Sequence, residues 1–488
     1  MAQKSIKKNF IFSLVNKAVA VLIPILITPY LARVLEPDGN GVISFVSSMA
    51  SYFVLLSNLG IETYGQREMA IHREDRAFIK KFIIEITLLR LIFTVFSLVV
   101  YYFLFISSFN AANNILYAIY AMTIIAVIFD FSWLFQGVEK FGTLAVTSLL
   151  TRAAYIVLIF VLVKTKADIA VAAALTAANA VLPFILCLPF MFGYMTVKTE
   201  GGINPFRHFK ECMIYFIPTI AVQIYTVVDK TMIGLITRSD FENGYYEQAE
   251  KIVKLPITIV TTLNVIIRSR ISYYYSLGEQ DKIQDLTEKS ANLSLMLMLP
   301  ITFGIVAVTY TFVPIYLGEG YEKCILLMYI FSPILLIISV SNLLGTHYYT
   351  PFDKQRISNR FLVIGAVVNI ALNSFMIYFF QSMGAAISSV LAELVITVLY
   401  LYFARNFFTF KRLLKICLKY FIASVVMFVP VFFMNRYLPA NLWYLLIEVA
   451  AGVAIYALML FILRPKFFTT YVKLFFNKFK ELFKRNES

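Results

Sequence analysis

Apolar residues run in blocks of about 20–25 along the whole of this 488-residue chain, and each block is long enough to cross ~30 Å of hydrocarbon as an α-helix. A transmembrane barrel would instead show alternating segments of ~10 residues, and the chain has no such pattern. Hydrophobic residues make up 60% and charged residues 15%, against the ~25% charged that soluble domains carry. The mean hydropathy is +0.78. The chain therefore reads as an all-α polytopic membrane protein whose connecting loops are too short to fold as domains.

Apolar run length predicts about fourteen spans, at 9–33, 41–61, 82–106, 113–136, 142–163, 168–193, 211–236, 253–275, 287–310, 324–346, 357–380, 383–403, 413–434 and 441–463. The span at 253–275 is the weakest, because Arg268 and Arg270 fall in its last turns. The first block is too long, and lacks the small-residue cleavage site, for a cleaved signal peptide. It is expected to remain as the first span. Lys and Arg fall on alternate connections in a ratio of roughly four to one, the positive-inside pattern with both termini cytoplasmic. Topology thus accounts for most of the net charge of +15, and a nucleic-acid partner is not expected.

Cys187, Cys212, Cys324 and Cys417 lack paired spacing, which argues against structural disulfides or a zinc site. His72, His208 and His347 sit near cytoplasmic helix ends and read as solvated loop histidines. No glycine-rich phosphate loop or nucleophile elbow is present, so neither an ATP-driven pump nor a cofactor-dependent enzyme is expected. In the tail from residue 464, Phe468, Tyr471, Phe475, Phe479 and Phe483 recur at helical spacing among lysines. That pattern suits a basic amphipathic helix on an anionic membrane surface.

The chain also shows signs of an internal repeat. Asn40-Gly41 and Asn243-Gly244 each lie in a predicted outer turn beside acidic residues, 203 positions apart, and the same offset carries Arg67 onto Arg270. Two six-span units in the same orientation would be related by an axis along the membrane normal. The corresponding domains are 1–200 (spans one to six), 201–405 (spans seven to twelve), 406–463 (two further spans) and the 464–488 tail.

Charges inside spans are costly and mark either pairing or function. Lys17, Arg152 and Lys230 have no acidic residue at i±3 or i±4, so they either face a cavity or pair across helices. As cavity cations they would suit a diphosphate. Arg90, Asp130, Asp229 and Glu393 are expected to serve ion coupling or structural pairing, and Glu85 could reach Arg90 on its own helix. Arg67, Arg268 and Arg270 are expected at an inner gate.

The stretches DFSWLFQGVEKF (Asp130 to Phe141) and QIYTVVDKTMIG (Gln223 to Gly234), followed by NGYYEQAEKI, resemble the polysaccharide-repeat flippases of the multidrug/oligosaccharidyl-lipid/polysaccharide (MOP) exporter superfamily. The opening TPYLARVLEPDGNG and LGIETYGQREMA are similar to that family as well. The resemblance implies two six-helix lobes in a V around a basic cavity, plus two C-terminal helices. It implies alternating access without ATP, moving an undecaprenyl-diphosphate-linked oligosaccharide for O-antigen, capsule or exopolysaccharide synthesis across the bacterial cytoplasmic membrane. A polysaccharide polymerase and chain-length machinery would be the implied partners. A lipid II flippase and a multidrug/cation antiporter remain as alternatives within the superfamily, and a membrane polysaccharide polymerase as one outside it. An antiporter would be expected to line its cavity with acids, and a polymerase to carry a large outer loop.

Overall fold

The computed structural model describes residues 2–107, 113–197 and 202–474, with side chains from residue 19 onward apart from 218, 221, 222, 224 and 225. The Lys17 side chain and most of the tail pattern, from residue 475, lie outside the described residues. The described residues are helical throughout, in the order α1 (Ala2–Asn58), α2 (Ile61–Ile71), α3 (Arg76–Tyr101), α4 (Asn114–Ala126), α5 (Ser132–Gly137), α6 (Phe141–Leu162), α7 (Ile169–Phe192), α8 (Phe209–Thr237), α9 (Asp240–Lys254), α10 (Ile257–Ser276), α11 (Gln280–Tyr316), α12 (Glu322–Phe331), α13 (Ile334–Leu344), α14 (Gln355–Phe403), α15 (Phe410–Tyr437) and α16 (Leu442–Leu463).

Ten helices among the described residues are long and apolar enough to cross a membrane, eleven if the pair α9 and α10, bent by 46°, counts as one. Two of the ten are far too long for one crossing: Val19–Ile71 has 53 residues and Gln355–Phe403 has 49. At ~1.5 Å per residue each would exceed 70 Å if straight. Both are broken, at Glu36 (φ 59°, ψ 177°) and Gln381 (φ 54°, ψ −132°). Beyond Gln381 the chain doubles back so tightly that a Cβ at Gly384 would stand 2.1 Å from the Met376 carbonyl oxygen. The spans at 9–33 and 41–61, and those at 357–380 and 383–403, are therefore joined by helix breaks rather than loops. At the first break Asn40 Nδ2 donates to the carbonyls of Leu31 (3.0 Å) and Glu36 (2.8 Å), bridging the two sides of the kink.

The segment after α8 corrects a second expectation. Asn243-Gly244 does not sit in an outer turn but inside α9, whose Glu242, Asn243, Glu247 and Glu250 are all buried. Polar residues there face protein rather than water, so polarity alone gave the impression of a loop. Asn40-Gly41 likewise lies in helix. The glycines serve close helix crossing: a Cβ at Gly41 would stand 1.7 Å from the Asp240 carbonyl oxygen, and one at Gly244 would stand 1.9 Å from that of Pro37. The contact is reciprocal, because Pro37 and Gly41 each advance by the same 203 positions to Asp240 and Gly244.

The chain forms two compact units, Met1–Glu247 and Gln248–Ser488. In the first, the core gathers Phe82, Trp133, Phe135, Met69 and Cys212 from α2, α3, α5 and α8. Glycine again permits the approach: a Cβ at Gly65 would meet the Trp133 ring at 2.7 Å, and one at Gly137 would meet Met69 Cβ at 2.4 Å. In the second unit, α15 packs along α11 and α16, and α13 packs along α14. Large apolar side chains such as Phe103 (62% exposed), Val453 (66%) and Trp443 (75%) cover the outside, as a lipid-facing surface requires. Together these features describe a multi-pass membrane protein.

Gly65→Ala should lower stability by about 1–3 kcal/mol, the usual cost of overpacking a core. Gly304→Ala, where nothing lies within 4 Å of the new Cβ, should be neutral or stabilising. Thermal unfolding of the two purified variants in detergent checks the contrast.

Candidate functional site: buried charges of the first unit

The reciprocal helix crossing is flanked by a polar cluster. Lys230 of α8 forms an ion pair with Glu247 of α9. Glu247 also accepts a hydrogen bond from Ser44 Oγ of α1 at 3.1 Å. Ser44 and Glu247 are themselves 203 positions apart, so the polar contact obeys the same symmetry as the glycine contact beside it. One helical position before Lys230, buried Asp229 accepts from the Tyr246 hydroxyl. Tyr52 and Thr231 share a hydroxyl hydrogen bond of 3.0 Å. Lys230 and Asp229, adjacent in sequence, thus use different faces of α8 but both reach α9. Sequence reasoning missed Glu247 because it searched only for local partners. The 203-residue offset would have pointed to it from Ser44.

Arg90 occupies a separate place. Its side chain is 1% exposed and donates to the carbonyls of Val127 (2.9 Å) and Asp130 (2.5 Å) and to Asn58 Oδ1 (3.2 Å). Those carbonyls belong to a break between α4 and α5, where a 3-10 turn (Val127–Phe129) gives way to extended backbone at Asp130 (ψ 99°). Asp130 closes the break from within: its Oδ1 accepts from Ser132 N at 2.9 Å and its carbonyl from Trp133 Nε1 at 3.0 Å. Arg90 and Asp130 therefore hold an irregular backbone segment together within the unit, and Glu85 takes other partners.

Glu85, fully buried on α3, accepts from Asn204 N at 2.9 Å, pairs with Arg207 and contacts His208 Nε2 at 3.0 Å. His208 Nδ1 in turn lies 2.9 Å from the Tyr64 hydroxyl. The segment linking α7 to α8 is thereby fastened to α2 and α3. His208 is 5% exposed and His347 is fully buried, which corrects the reading of both as solvated loop residues. Each lies beside a helix end but is covered by packing: the Phe82 and Tyr64 rings lie against His208, and His347 is buried within the π-helical turn Gly345–Tyr349. Burial pushes the His208 pKa below its ordinary value, with the Glu85 hydrogen bond opposing that shift.

The other singled-out positions lie on further helices. Arg152 is half-buried on α6. Arg67 is exposed on α2, 3.9 Å from Glu68 and 3.4 Å from the Tyr215 hydroxyl. Arg268 is half-buried and Arg270 exposed on α10, and Glu393 is buried on α14. Among the described residues no group of three or more His, Cys, Asp or Glu could hold a metal ion.

Solved structures place this arrangement in a class. The lipid II flippase MurJ in an inward closed conformation superposes with a TM-score of 0.71 at 17% identity, covering 92% of this chain and 97% of that one. An inward-facing multidrug MATE transporter of the MOP superfamily gives 0.59 at 13% identity, covering 82% and 95%. The fold is thus that of the MOP exporters. Within that class the chain belongs to the polysaccharide biosynthesis protein family, whose model matches residues 6–267. An Escherichia coli (strain K12) protein named for O-antigen transport is 24% identical over 408 residues, covering 82% of this chain and 97% of its own. A Haloferax volcanii protein named for a flippase in low-salt glycan biosynthesis is 25% identical over 196 residues, 40% of this chain and 41% of its own.

Arg90→Ala should destabilise the first unit strongly, since each buried carbonyl left without a donor costs ~1–3 kcal/mol. Arg90→Lys should recover only part of the loss, because an ammonium cannot span both carbonyls as the guanidinium fork does. Unfolding midpoints measured in detergent check that order. His208 supplies a pH signature. With its folded pKa depressed, the unfolded chain binds more protons, so stability is complete above ~6.5 and falls as pH drops toward the folded value. Wild-type melting temperature should therefore decline below about pH 6.5, and His208→Gln should flatten that decline.

Proposed function

We propose that this protein is a flippase carrying undecaprenyl-diphosphate-linked oligosaccharide repeat units from the inner to the outer leaflet of the bacterial cytoplasmic membrane, with both termini cytoplasmic. Family membership across residues 6–267 carries the reading. The names of the curated relatives and the cationic residues within an apolar chain support it. Moving a diphosphate and a glycan through hydrocarbon is opposed by their desolvation, while the polyprenyl tail can stay in lipid. Cations inside a wet path offset the first cost. An inside-negative membrane potential favours outward movement of the anion by ~2.3 kcal/mol per charge per 100 mV.

In this proposal Lys17, Arg152 and Lys230 contact the diphosphate during transport. Lys230 rests on Glu247 in the state described here and exchanges that carboxylate for phosphate when substrate arrives. Such an exchange keeps Lys230 paired throughout, since a lysine left unpaired in a low-dielectric site would cost several kcal/mol, while Ser44 Oγ continues to donate to the released Glu247. Two six-helix repeats, divided near residue 200, then move about the glycine crossing of 37–44 on 240–247 during alternating access. The symmetry of that crossing supports the repeat. Arg67, Arg268 and Arg270 act at the inner mouth, and Asp229 or Glu393 couples an ion.

Deleting the gene should remove surface glycan and leave undecaprenyl-diphosphate-linked repeat units on the inner face, which mass spectrometry of extracted lipids would identify. Normal surface glycan would reject the flippase reading. Lys230→Met and Arg152→Ala should each cut export at least tenfold in protein that inserts normally. Glu247→Gln, which keeps a hydrogen-bonding partner for Lys230, should export far better than Lys230→Met. Equal defects in Lys230→Met and Glu247→Gln would reduce the pair to a structural latch.

A further inference from the structure

The second unit contains a cleft whose lining is out of place in a membrane bundle. Between α13, α14 and the π-helical turn Gly345–Tyr349 lies a cavity of about 270 Å³, just below the ~300–1,000 Å³ range of drug-sized small-molecule sites. Ser341, Asn342, Thr350, Gln355, Ser358 and Glu393 line it, with Tyr400 and a few aliphatic side chains. Thr350 and Gln355 are exposed at the rim, while Ser358 (3% exposed) and Glu393 (8%) lie at the floor.

The wall is organised rather than merely polar. Ser290 Oγ donates to Asn264 Oδ1 at 2.7 Å, and Asn264 Nδ2 donates to Asn342 Oδ1 at 2.9 Å, a buried relay from α11 through α10 to α13. Ser358 and Tyr400 share a hydroxyl hydrogen bond of 2.6 Å, and Thr350 Oγ1 donates to Gln355 Oε1 at 3.0 Å. The π-turn adds a second sign. It replaces the regular ladder with a bond from Thr350 N to the Gly345 carbonyl at 3.0 Å, and such turns recur at functional sites. Ser341, Asn342, Ser358 and Glu393 fall within the apolar spans, where polar side chains are expensive and usually functional.

The chemistry of the lining selects the ligand. It offers neutral amides and hydroxyls, which both donate and accept, together with one carboxylate, one tyrosine ring and an aliphatic wall. It offers no Lys or Arg, so it does not suit phosphate. A bare cation uses oxygen acceptors only and would leave the amide and hydroxyl donors idle. A sugar ring presents hydroxyls that donate and accept around its rim and C–H groups on its faces, and it can use both kinds of wall. We infer that the cleft between α13, the 345–349 turn and α14 is a saccharide subsite that recognises one ring of the transported glycan. The inference rests on the proposed flippase function and adds to it a residue-level basis for glycan selectivity, separate from the cations assigned to the diphosphate.

The test uses the full chain in lipid nanodiscs, with farnesyl diphosphate and farnesyl-diphosphate-linked N-acetylglucosamine and N-acetylgalactosamine as probes. Wild-type protein should bind at least one sugar-bearing probe tenfold or more tighter than the bare diphosphate. Gln355→Leu, at the exposed rim and so least prone to misfold, and Asn342→Leu should erase that preference and leave bare diphosphate binding unchanged. Equal affinity for all probes, or a preference that survives both leucine variants, would overturn the subsite. So would a transport defect confined to Glu393→Gln while Asn342→Leu and Gln355→Leu export normally, the outcome for a cation site. Binding of no probe by wild-type protein would instead overturn the flippase reading, and the subsite with it.

Discussion

Backbone polar groups inside a bilayer have no water to turn to, and every departure from regular helix must therefore be satisfied by the protein itself. This constraint explains more of the structure than any single contact. The chain departs from helix at Glu36 and Asp130, and at each place a buried polar side chain donates to carbonyls at the break. Asn40 does so for Leu31 and Glu36, and Arg90 does so for Val127 and Asp130. Read in this way, an intramembrane arginine is not by default a substrate ligand. Arg90 uses both terminal nitrogens on backbone and amide oxygens, and its charge stabilises a bend rather than a passing anion.

The same constraint separates what was legible in the sequence from what was not. Apolar run length located nearly every helix, because the thickness of hydrocarbon sets a length that no local contact can change. It failed where two spans join without a loop: helix continues through 37–44 on the strength of Gly41 and Asn40, residues that usually mark turns in water. It failed again at 240–254, where burial of Glu242, Asn243 and Glu247 against protein makes a polar stretch helical. Local spacing rules fared worst with the charges. Glu85 and Arg90, five apart on one helix, looked like mutual partners, yet Glu85 reaches residues 204–208 and Arg90 reaches 127–130. Partners more than thirty residues away leave no periodic trace.

One long-range partnership did leave a trace. The offset of 203 residues was visible in Asn40-Gly41 and Asn243-Gly244, although its meaning was not. In the structure these residues do not occupy equivalent places in separate surroundings; they touch each other. Pro37 and Gly41 meet Gly244 and Asp240, and Ser44 meets Glu247. A surface that pairs with its own duplicate copy must be self-complementary, and glycine is the simplest solution for helices crossing at backbone contact.

The crossing also shows where the two matched segments differ. Ser44 and Glu247 occupy the same position in the repeat, yet one carries a hydroxyl and the other a carboxylate. An axis of this kind would place two identical side chains face to face, and two carboxylates there would repel. Replacing one by serine turns the repulsion into a hydrogen bond and leaves a single carboxylate facing Lys230. Matched glycines thus supply a tight crossing, and the one-sided carboxylate supplies the charge pair beside it. Backbone-close packing and a salt bridge stand together on the same few turns of helix. In the proposed transport cycle that combination suits a contact that holds firmly in one state and yields in another.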